Sequence, residues 1–415
     1  MISPFCHQEK AIHLDRFPLM QVNRSLQAWD AADEYLLNYC KENSLINKAT
    51  TLLIFNDAFG ALATSFCDTL DSTAQEAPTT YCVNDSFVSR QGITHNLKKN
   101  HLNTNNVTQL DSLADLPRDI DVILYKIPKS NALLIAQLIQ IKQQCKQDVI
   151  FIAGDRAKDI HSSTLKLFEK HLGKTSTSLA VKKSRLVFCE LPSSGLDTGV
   201  ESGVESTESK TVEHAINHLN SSPFPTCWSI EDKATGLAFN ISNHANVYSR
   251  EKLDIGARYF IENLPQIKAG DNVIDLGCGN GVIGLTLLAS QNEAHIAFYD
   301  ESSMAIASAK MNIENNLPHL LSQCEFNLDD CLTSVPSNSV DIIVCNPPFH
   351  QHNATTDHIA WQMFKDSHRV LKKGGELRII GNRQLAYHIK LQRIFGNEKR
   401  IASNDKFVTQ SAIKR

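Results

Sequence analysis

An apolar strand that runs straight into a glycine-rich turn constrains the fold of this chain more than any other feature. Asn272–Leu276 has the pattern of a buried strand, Gly277 and Gly279 follow, and Val282–Ser290 is an apolar stretch of helical character. A strand, a tight turn and a helix in this order are typical of a mostly parallel sheet with helices on its faces. Glycines at such a turn let the backbone approach a bound ligand closely. The sequence therefore predicts an α/β fold with a small-molecule site at this turn.

Length and composition predict two domains and no membrane segment. The chain has 415 residues and 42% hydrophobic content, which is too long for one ordinary domain. We find no run of about eighteen apolar residues and no basic leader, so we expect a cytoplasmic protein. The eleven cysteines contain no Cys-x-x-Cys pair, and we expect reduced thiols rather than a disulfide framework or a zinc site.

The net charge limits how the chain can interact with nucleic acid. A formal charge of -4 argues against a protein that coats RNA by bulk electrostatics, so any RNA contact must be local. Two basic groups are candidates, and we expect about half of their members to be ordinary solvated side chains. The first group is Lys174, Lys182, Lys183 and Arg185, and the second is Lys390, Arg393, Lys399, Arg400 and Lys406.

The two halves of the chain resemble one another, which predicts a duplication. Four segments match in the same order, which argues against chance. The matched pairs are residues 273–281 and 52–60, 300–302 and 84–86, 341–349 and 121–129, and 381–383 and 154–156. We therefore predict a first domain at residues 1–190 and a second at residues 227–415. Residues 191–226 are dominated by Ser, Thr, Gly and Glu and are predicted to form a flexible linker.

The glycine turn indicates which cofactor the second domain binds. A dinucleotide site needs a third glycine three residues after Gly279, and Val282 stands there. The turn that follows Asp275 instead resembles the first motif of the S-adenosylmethionine methyltransferases, which runs beside the methionine end of the cofactor. This resemblance implies that Asp275 organises the turn and that Gly277, Gly279 and Asn280 line the cofactor.

Two acidic residues further along are predicted to bind the rest of this cofactor. Asp300 follows an apolar strand about twenty residues after the turn, where a carboxylate can accept both ribose hydroxyl protons. Its neighbour Glu301 is the competing candidate. Asp330 follows the next predicted strand, where the resemblance implies a polar residue facing the adenine amino group. The alternative role for both aspartates is to cap a helix.

The tetrapeptide from Asn346 to Phe349 ends another apolar strand and is suited to hold a planar amino group. The Asn346 side-chain oxygen and the Pro347 carbonyl can accept both amino hydrogens, which concentrates electron density on the nitrogen. The prolines hold this geometry rigid. Phe349 offers a face for a flipped-out base, worth on the order of 1–3 kcal/mol. With the glycine turn upstream, the pattern predicts methyl transfer to nitrogen rather than an ordinary turn.

Further residues are predicted to contact the substrate. Tyr248 and Arg250 precede the first strand of the second domain, and His350 follows the tetrapeptide. Tyr248 is explained equally well by packing. His350, His352 and His358 lack a completing set of cysteines or carboxylates, so we predict that no metal is bound.

The first domain is predicted to bind rather than to catalyse. Asn56 and Ala58 stand where the second domain has its first two glycines, and side chains there block a close approach of the backbone. Lys126 stands where the second domain has Asn346, and a lysine cannot accept a hydrogen bond. The chemistry is therefore assigned to the second domain.

The whole chain resembles the large-subunit ribosomal RNA guanine-N2 methyltransferases, and more loosely their small-subunit counterparts. The residues that carry this resemblance are 26–37, 56–62, 243–247, 253–258 and 345–351, and residues 191–226 depart from the family pattern. The resemblance implies two Rossmann-like methyltransferase domains, each a mostly parallel sheet with helices on both faces. It also implies that the second domain uses S-adenosylmethionine to methylate N2 of a guanine in 23S rRNA, and that the diverged first domain helps to hold this RNA.

Three other functions would use the same features. Methylation of adenine N6, or of a glutamine amide in a translation factor, needs the same acceptor geometry, although such enzymes usually carry Tyr where this chain has Phe349. A ribosome-assembly factor that grips RNA without chemistry is the third alternative. The presence of Asp275, Asp300 and Asn346 in the second copy, against their loss from the first, argues against a protein that only binds.

Overall fold

Two compact units make up this chain. The computed structural model describes residues 5–7, 10–19, 26–68, 77–191, 222–231, 236, 238–348 and 354–415. One unit, the first domain, comprises residues 1–85 and 89–223, and the other, the second domain, comprises residues 86–88 and 224–415. Residues 192–221, most of the predicted linker, lie outside the described residues.

The described part of the first domain contains one large sheet and a short ribbon. In chain order, its strands are β1 (Phe5–His7), β2 (Lys10–Ile12), β3 (Thr51–Phe55), β4 (Thr79–Val83), β5 (Val107–Leu110), β6 (Val122–Lys126), β7 (Ile150–Arg156), β8 (Lys174–Thr177) and β9 (Ser184–Glu190). Its helices are α1 (Ala31–Glu42), α2 (Ala61–Asp68), α3 (Phe87–Lys99), α4 (Asn131–Gln144) and α5 (Ser162–His171). Strands β1 and β2 pair only with each other, and the other seven form the sheet.

The second domain is built in the same way. Its strands are β10 (Thr226–Glu231), β11 (Ala238–Asn243), β12 (Asn272–Leu276), β13 (His295–Asp300), β14 (Cys324–Leu328), β15 (Val340–Cys345), β16 (Leu371–Asn382), β17 (Lys399–Ser403) and β18 (Phe407–Ile413). Its helices are α6 (Ile255–Ile261), α7 (Val282–Ser290), α8 (Ser303–Asn316), α9 (Ala354–Val370) and α10 (Tyr387–Phe395). Strands β10 and β11 form the separate ribbon.

The two large sheets have the same strand order, as a duplication predicts. The order is β5-β4-β3-β6-β7-β9-β8 in the first domain and β14-β13-β12-β15-β16-β18-β17 in the second. In each sheet the first five strands are parallel, and the last two pairings are antiparallel. The predicted fold of two mostly parallel, Rossmann-like sheets is confirmed.

Apolar side chains cover both faces of the second sheet. In β12, Val273 belongs to one core cluster, whereas Ile274 and Leu276 belong to another. This alternation follows from the two-residue period of a strand. Helices α7 and α8 contribute to the first cluster, and α9 and α10 contribute to the second. The predicted arrangement of helices on both faces is therefore present.

A buried asparagine makes the same contacts in both domains. Asn312 of α8 donates to the carbonyl of Ser242 at 2.9 Å, and the N–H of Ser242 donates back to Asn312 Oδ1 at 2.7 Å. Asn96 of α3 exchanges the same two hydrogen bonds with Asp15, at 2.9 and 2.8 Å. Both asparagines are fully buried. A polar contact repeated in this detail supports the duplication independently of the strand order.

Candidate active site

The glycine-rich turn after β12 is held by positive backbone angles. Gly277, Gly279 and Gly281 have φ of +70°, +55° and +75°, a region that favours glycine. The N–H of Gly277 donates to the carbonyl of Tyr299 at 2.8 Å, which ties the turn to β13. A Cβ added to Gly279 would meet no atom within 4 Å, so the space beside this residue can admit a ligand.

Asp275 lies at the base of this turn and is buried. Its Oδ2 accepts a hydrogen bond from the Gly284 N–H at 2.9 Å, which joins β12 to the first turn of α7. Burial raises the pKa of Asp275 to about 7; the hydrogen bond opposes this rise, and the charge of Asp300 adds to it. The carboxyl group therefore braces the turn from inside the protein.

Asp300 ends β13 and reaches the turn from the neighbouring strand. Its Oδ2 accepts from the Gly279 N–H at 2.9 Å, and its Oδ1 accepts from the Ser302 N–H at 3.0 Å. The residue is half-buried. A carboxylate oxygen can accept more than one hydrogen bond, so these contacts are compatible with the predicted binding of ribose hydroxyls.

Asn280 uses its side chain inside the protein. Its Nδ2 donates to Asn243 Oδ1 at 2.9 Å, and its Oδ1 accepts from the Val282 N–H at 3.2 Å. The side chain is buried and holds the turn against the end of β11. The sequence pointed to Asn280 as a cofactor-lining residue and assigned no role to Asn243, because nothing close to Asn243 in the chain indicates this contact.

Asp330 follows β14 and is joined to a helix that the sequence did not connect with the site. Gln362 of α9 donates from Nε2 to Asp330 Oδ1 at 3.1 Å. Burial raises the pKa of Asp330, and the hydrogen bond from Gln362 opposes this rise. The preceding Asp329 is engaged locally, since it accepts hydrogen bonds from Thr333 and Ser334. Asp330 is therefore better placed than Asp329 to face a ligand, and Gln362 is an additional candidate residue.

The acceptor turn and the glycine turn lie side by side. Strands β12 and β15 are parallel neighbours, and Leu276 is paired with Cys345. Gly277 and Asn346 each follow one of these paired residues, so both turns leave the sheet at the same carboxyl-terminal edge. Ligands bind at this edge in open α/β sheets.

Asn346 presents an unsatisfied acceptor at this edge. Its Oδ1 is buried and has no hydrogen-bond partner among the described residues. Buried polar atoms of folded proteins usually have a hydrogen-bond partner, so this oxygen is able to accept a hydrogen bond from a ligand. Pro347 beside it is buried. Phe349 and His350, the other predicted acceptor residues, lie outside the described residues.

Tyr248 and Arg250 lie in the loop before α6. Tyr248 is 64% exposed, and its hydroxyl donates to Asp254 Oδ1 at 3.4 Å. Arg250 donates from Nη2 to Glu251 Oε1 at 3.4 Å, and its carbonyl accepts from the Thr226 hydroxyl at 2.9 Å. These contacts position the loop, and a contact of Tyr248 or Arg250 with substrate stays a prediction.

The corresponding place in the first domain is filled by a cluster of charged side chains. Lys126, which matches Asn346, donates to Asp30 and Asp33 at 2.7 and 2.6 Å. Burial alone would lower the pKa of Lys126, but the two carboxylates raise it above its ordinary value. Burial raises the pKa of Asp33 to about 6. Asn56 from the diverged turn donates to the Lys126 carbonyl at 2.9 Å. No comparable unsatisfied acceptor is found at this position of the described chain.

The basic residues predicted for RNA binding in the first domain differ in their contacts. Lys182 and Lys183 have φ of 46° and 67° and form the exposed tight turn before β9. Lys182 Nζ donates to Glu34 Oε2 at 2.7 Å. Arg185 lies in β9, and its Nε is buried without a hydrogen-bond partner among the residues described. Lys183 is exposed and, unlike Lys182, forms no ion pair with a described residue.

Among the residues that the structure describes, no group of three or more His, Cys, Asp or Glu side chains could hold a metal ion. Within the same ranges, no helix has both the length and the apolar character needed to cross a membrane. The cysteines whose side chains are described are free thiols.

Known proteins share both halves of this architecture. Residues 3–193 match the family model "RLMG N-terminal domain", and residues 238–410 match "Methyltransferase small domain". The ribosomal RNA large subunit methyltransferase G of Colwellia psychrerythraea is 62% identical over 100% of both chains. Its namesake from Pseudoalteromonas translucida is 46% identical over 98% of this chain and 97% of its own.

A solved structure has the same two-domain fold. It is T. thermophilus RsmC, a 16S rRNA N2 methyltransferase in complex with AdoMet and guanosine. The TM-score is 0.71 at 15% identity, with coverage of 100% of this chain and 98% of the other. The match to the N-terminal family model and the identity to the relatives along the whole length show that the chain belongs to the ribosomal RNA large subunit methyltransferase G family.

Proposed function

We propose that this methyltransferase transfers a methyl group to the exocyclic N2 of a guanine in 23S rRNA and so forms N2-methylguanosine. The observation that carries the proposal is Asn346 Oδ1, a buried acceptor without a partner among the described residues, next to the glycine turn. Leaving such an atom unpaired costs about 1–3 kcal/mol, so a ligand with an N–H donor is favoured there. An exocyclic amine on a base supplies two such donors.

The proposed role of the acceptor residues is to make this amine nucleophilic. The nitrogen lone pair of guanine N2 is delocalised into the ring, which makes it a poor nucleophile. Asn346 Oδ1 and the Pro347 carbonyl would accept the two N–H groups and turn the lone pair toward the methyl donor. Phe349 would stack on the flipped base. Transfer would break the bond between the sulfonium sulfur and its methyl group, leaving a neutral thioether, and the methylated, cationic nitrogen would pass its proton to water without a dedicated base.

The cofactor residues are assigned from the same edge of the sheet. Bound S-adenosylmethionine supplies an electrophilic methyl group carried on a sulfonium. The open side of Gly279 gives it room, and the Asp300 carboxylate would accept the ribose hydroxyls. Asp330, oriented by Gln362, would accept from the adenine amino group. Asp275 would keep the turn in the shape that binding requires.

The choice of RNA rests on the relatives, whose names specify the large ribosomal subunit. We further propose that residues 1–190, which make up most of the first domain, hold this RNA without catalysing a reaction. The blocked position at Lys126 supports that division of labour. Such a substrate would place the enzyme in the cytoplasm, where ribosomes are assembled. The target guanine would lie in naked RNA or in an assembly intermediate of the large subunit.

The test is transfer of labelled methyl from S-adenosylmethionine to deproteinised 23S rRNA, 16S rRNA and a mixture of translation factors. Nucleoside analysis then identifies the product. N2-methylguanosine in the 23S sample alone is the expected result. Label as N6-methyladenosine, or on a protein, would retain the cofactor site but overturn the acceptor assignment.

A second arm covers the physical state of the substrate. Large-subunit particles, isolated before and after assembly is complete, are offered to the same enzyme. Label in a particle but not in naked RNA would keep the reaction and identify the assembly state. Absence of label from every sample, despite measurable cofactor binding, would support the alternative of a non-catalytic RNA-binding protein.

A further inference from the structure

We propose that an apolar tip of the first domain contacts unstacked bases of the RNA. The apolar tip consists of Leu179 and Val181, which lie in the hairpin between β8 and β9. The inference rests on the proposed function, since it takes RNA as the partner. It adds a base-binding element to a domain whose other candidate RNA contacts are cations.

Both residues of the apolar tip are exposed to solvent. Leu179 is 87% exposed and Val181 is 44% exposed, and neither belongs to a core cluster described for the first domain. Single apolar residues are common on protein surfaces, but these two, with Ala180 between them, form a continuous exposed apolar segment. Burial of these side chains against a ligand would therefore favour binding.

Helix α1 holds the backbone of the apolar tip in place. The Tyr35 hydroxyl donates to the Leu179 carbonyl at 3.2 Å, and Lys182 Nζ donates to Glu34 Oε2 at 2.7 Å. Tyr35 and Glu34 are neighbours in this helix. A tip that is ordered in advance loses less conformational freedom on binding than a mobile loop, so more of the contact energy remains for affinity.

Exposed cations lie beside the apolar tip and indicate the kind of partner. Residues 174–189 contain four lysines and arginines and no acidic residue, in a chain whose net charge is -4. Lys158 and Lys183 are exposed and form no ion pair with a described residue. Their backbones lie close together, because the Ala157 N–H donates to the Lys183 carbonyl at 2.7 Å. Single-stranded RNA combines the required negative charge, on its phosphates, with exposed base faces.

The matching hairpin of the second domain has no apolar tip. The Arg383 N–H donates to the Lys406 carbonyl at 3.0 Å, so Lys406 takes the place of Lys183 in the shared backbone arrangement. Residues 404–406, which are Asn, Asp and Lys, join β17 to β18, whereas residues 178–183 join β8 to β9. The lysine is therefore common to both hairpins, and the apolar extension distinguishes the hairpin of the first domain.

The test compares three variants of the full-length chain. The apolar-tip variant carries L179S and V181S. The control carries I150S and I413S, which also remove two exposed apolar side chains but lie away from the carboxyl-terminal edges of the sheets. The lysine variant carries K158Q and K183Q. Binding to deproteinised 23S rRNA and to a blunt-ended RNA duplex is measured by filter retention at several salt concentrations, together with the melting temperature and methyl transfer.

The apolar-tip variant should bind 23S rRNA on the order of 10-fold more weakly than the control, with the melting temperature of the wild type, because buried apolar contacts are lost only in the complex. Its slope of log K against log salt should match that of the wild type, since no charge is removed. The lysine variant should instead lower this slope by about 0.7 for each lost contact with single-stranded RNA. Affinity for the duplex should be the same in the apolar-tip variant and the control, because paired bases are stacked on one another.

Equal affinity of the apolar-tip variant and the control for 23S rRNA would overturn the inference, as would an equal loss of affinity for 23S rRNA and for the duplex. Binding to vesicles of phosphatidylglycerol that depends on the apolar tip, with RNA binding unaffected, would overturn it in favour of a membrane partner. The proposed function has a separate readout, the methylated nucleoside. A wild-type chain that forms no N2-methylguanosine would refute that function, whereas RNA binding that depends on the apolar tip would still support the inference.

Discussion

Asn346 Oδ1 is buried just after the end of β15 without a partner among the described residues, whereas the carboxylates of Asp275 and Asp300 accept hydrogen bonds from the glycine turn and α7. At the scale of single residues, this atom is the sharpest link between structure and chemistry. Asp275, Asp300 and Asn280 all have partners that stabilise the fold. Substitution of any of these three residues would therefore affect folding and function together, whereas substitution of Asn346 should affect function without affecting folding.

Asn346→Ala should impair methyl transfer selectively. Loss of one preorganised hydrogen-bond acceptor is expected to lower kcat by about 10²- to 10³-fold. Calorimetric titration should show nearly unchanged affinity for S-adenosylmethionine, because the side chain is assigned to the acceptor amine. Asn346→Asp keeps an acceptor oxygen and should retain more activity than the alanine variant. A marked loss of cofactor affinity in Asn346→Ala would show that the residue belongs to the cofactor site instead.

Asp275 should make stability depend on pH. Its pKa of about 7 in the folded protein is above its ordinary value of 3.8, so the folded state binds this proton more tightly than the unfolded chain. The contribution of Asp275 to the free energy of unfolding is fully present below about pH 4 and is lost as pH rises through about 7. A shift of about three pKa units corresponds to about 4 kcal/mol.

Asp275→Asn tests this expectation. The amide keeps an oxygen that can accept from the Gly284 N–H, and it removes the buried charge. The melting temperature of the variant, relative to wild type, should therefore rise between about pH 5 and about pH 8. An equal difference in melting temperature between the variant and wild type at both pH values would mean that Asp275 does not titrate in this range.

At the scale of secondary-structure elements, two parallel strands and the turns beyond them build the site. Strand β12 delivers the glycine turn, and β15 delivers the acceptor turn, at the same edge of the sheet. Within the glycine turn, the structure separates glycines that face protein from glycines that face open space. A Cβ on Gly281 would lie 2.8 Å from Ala309 Cβ, whereas a Cβ on Gly279 would meet nothing within 4 Å.

Gly281→Ala and Gly279→Ala should therefore have different effects. Both place alanine at a positive φ, which costs about 1–2 kcal/mol. Gly281→Ala adds a clash between α7 and α8, so its melting temperature should fall further than that of Gly279→Ala. Gly279→Ala should instead weaken S-adenosylmethionine binding, because its Cβ enters the space assigned to the ligand. Unchanged cofactor affinity in Gly279→Ala, measured by calorimetry, would remove that space from the proposed site.

At the scale of the whole molecule, one topology occurs twice with different contents. The two sheets share their strand order and a repeated asparagine contact, yet the first domain has Lys126 where the second has Asn346. Lys126 with Asp30 and Asp33 fills the position that an acceptor amine would need. After the duplication, charged side chains of the first domain paired with one another at the position of the acceptor turn. This explains why the first α/β domain need not be a second enzyme.

The chain should bind one molecule of S-adenosylmethionine rather than two. Calorimetric titration of the full-length protein should give a stoichiometry of one, since the first domain has lost the open glycine turn. Lys126→Ala should leave this value at one while destabilising the first domain by about 3–5 kcal/mol, because two carboxylates lose their buried partner. Two cofactors per chain would contradict the division between the domains.

Local patterns in the sequence determined the architecture and the position of the site. The predicted strand and helix around the glycine turn coincide with β12 and α7. Strand alternation and the backbone angles of glycine depend on neighbours within a few residues, so a sequence records them directly. The places of Asp300 and Asn346 follow from the same logic, because successive strand–helix units return each strand end to one edge of a parallel sheet.

Only the tertiary structure decided which polar side chains are used inside the protein. Asn280 is bonded to Asn243, which is 37 residues away, and Gln362 reaches Asp330 across 32 residues. Lys182, predicted as an RNA contact, donates to Glu34 across 148 residues. A buried or charged group takes its partner from whichever element packs against it, and no local pattern records that distant partner. The sequence therefore located the site, and the packing of separate elements determined which of its side chains remain available to a ligand.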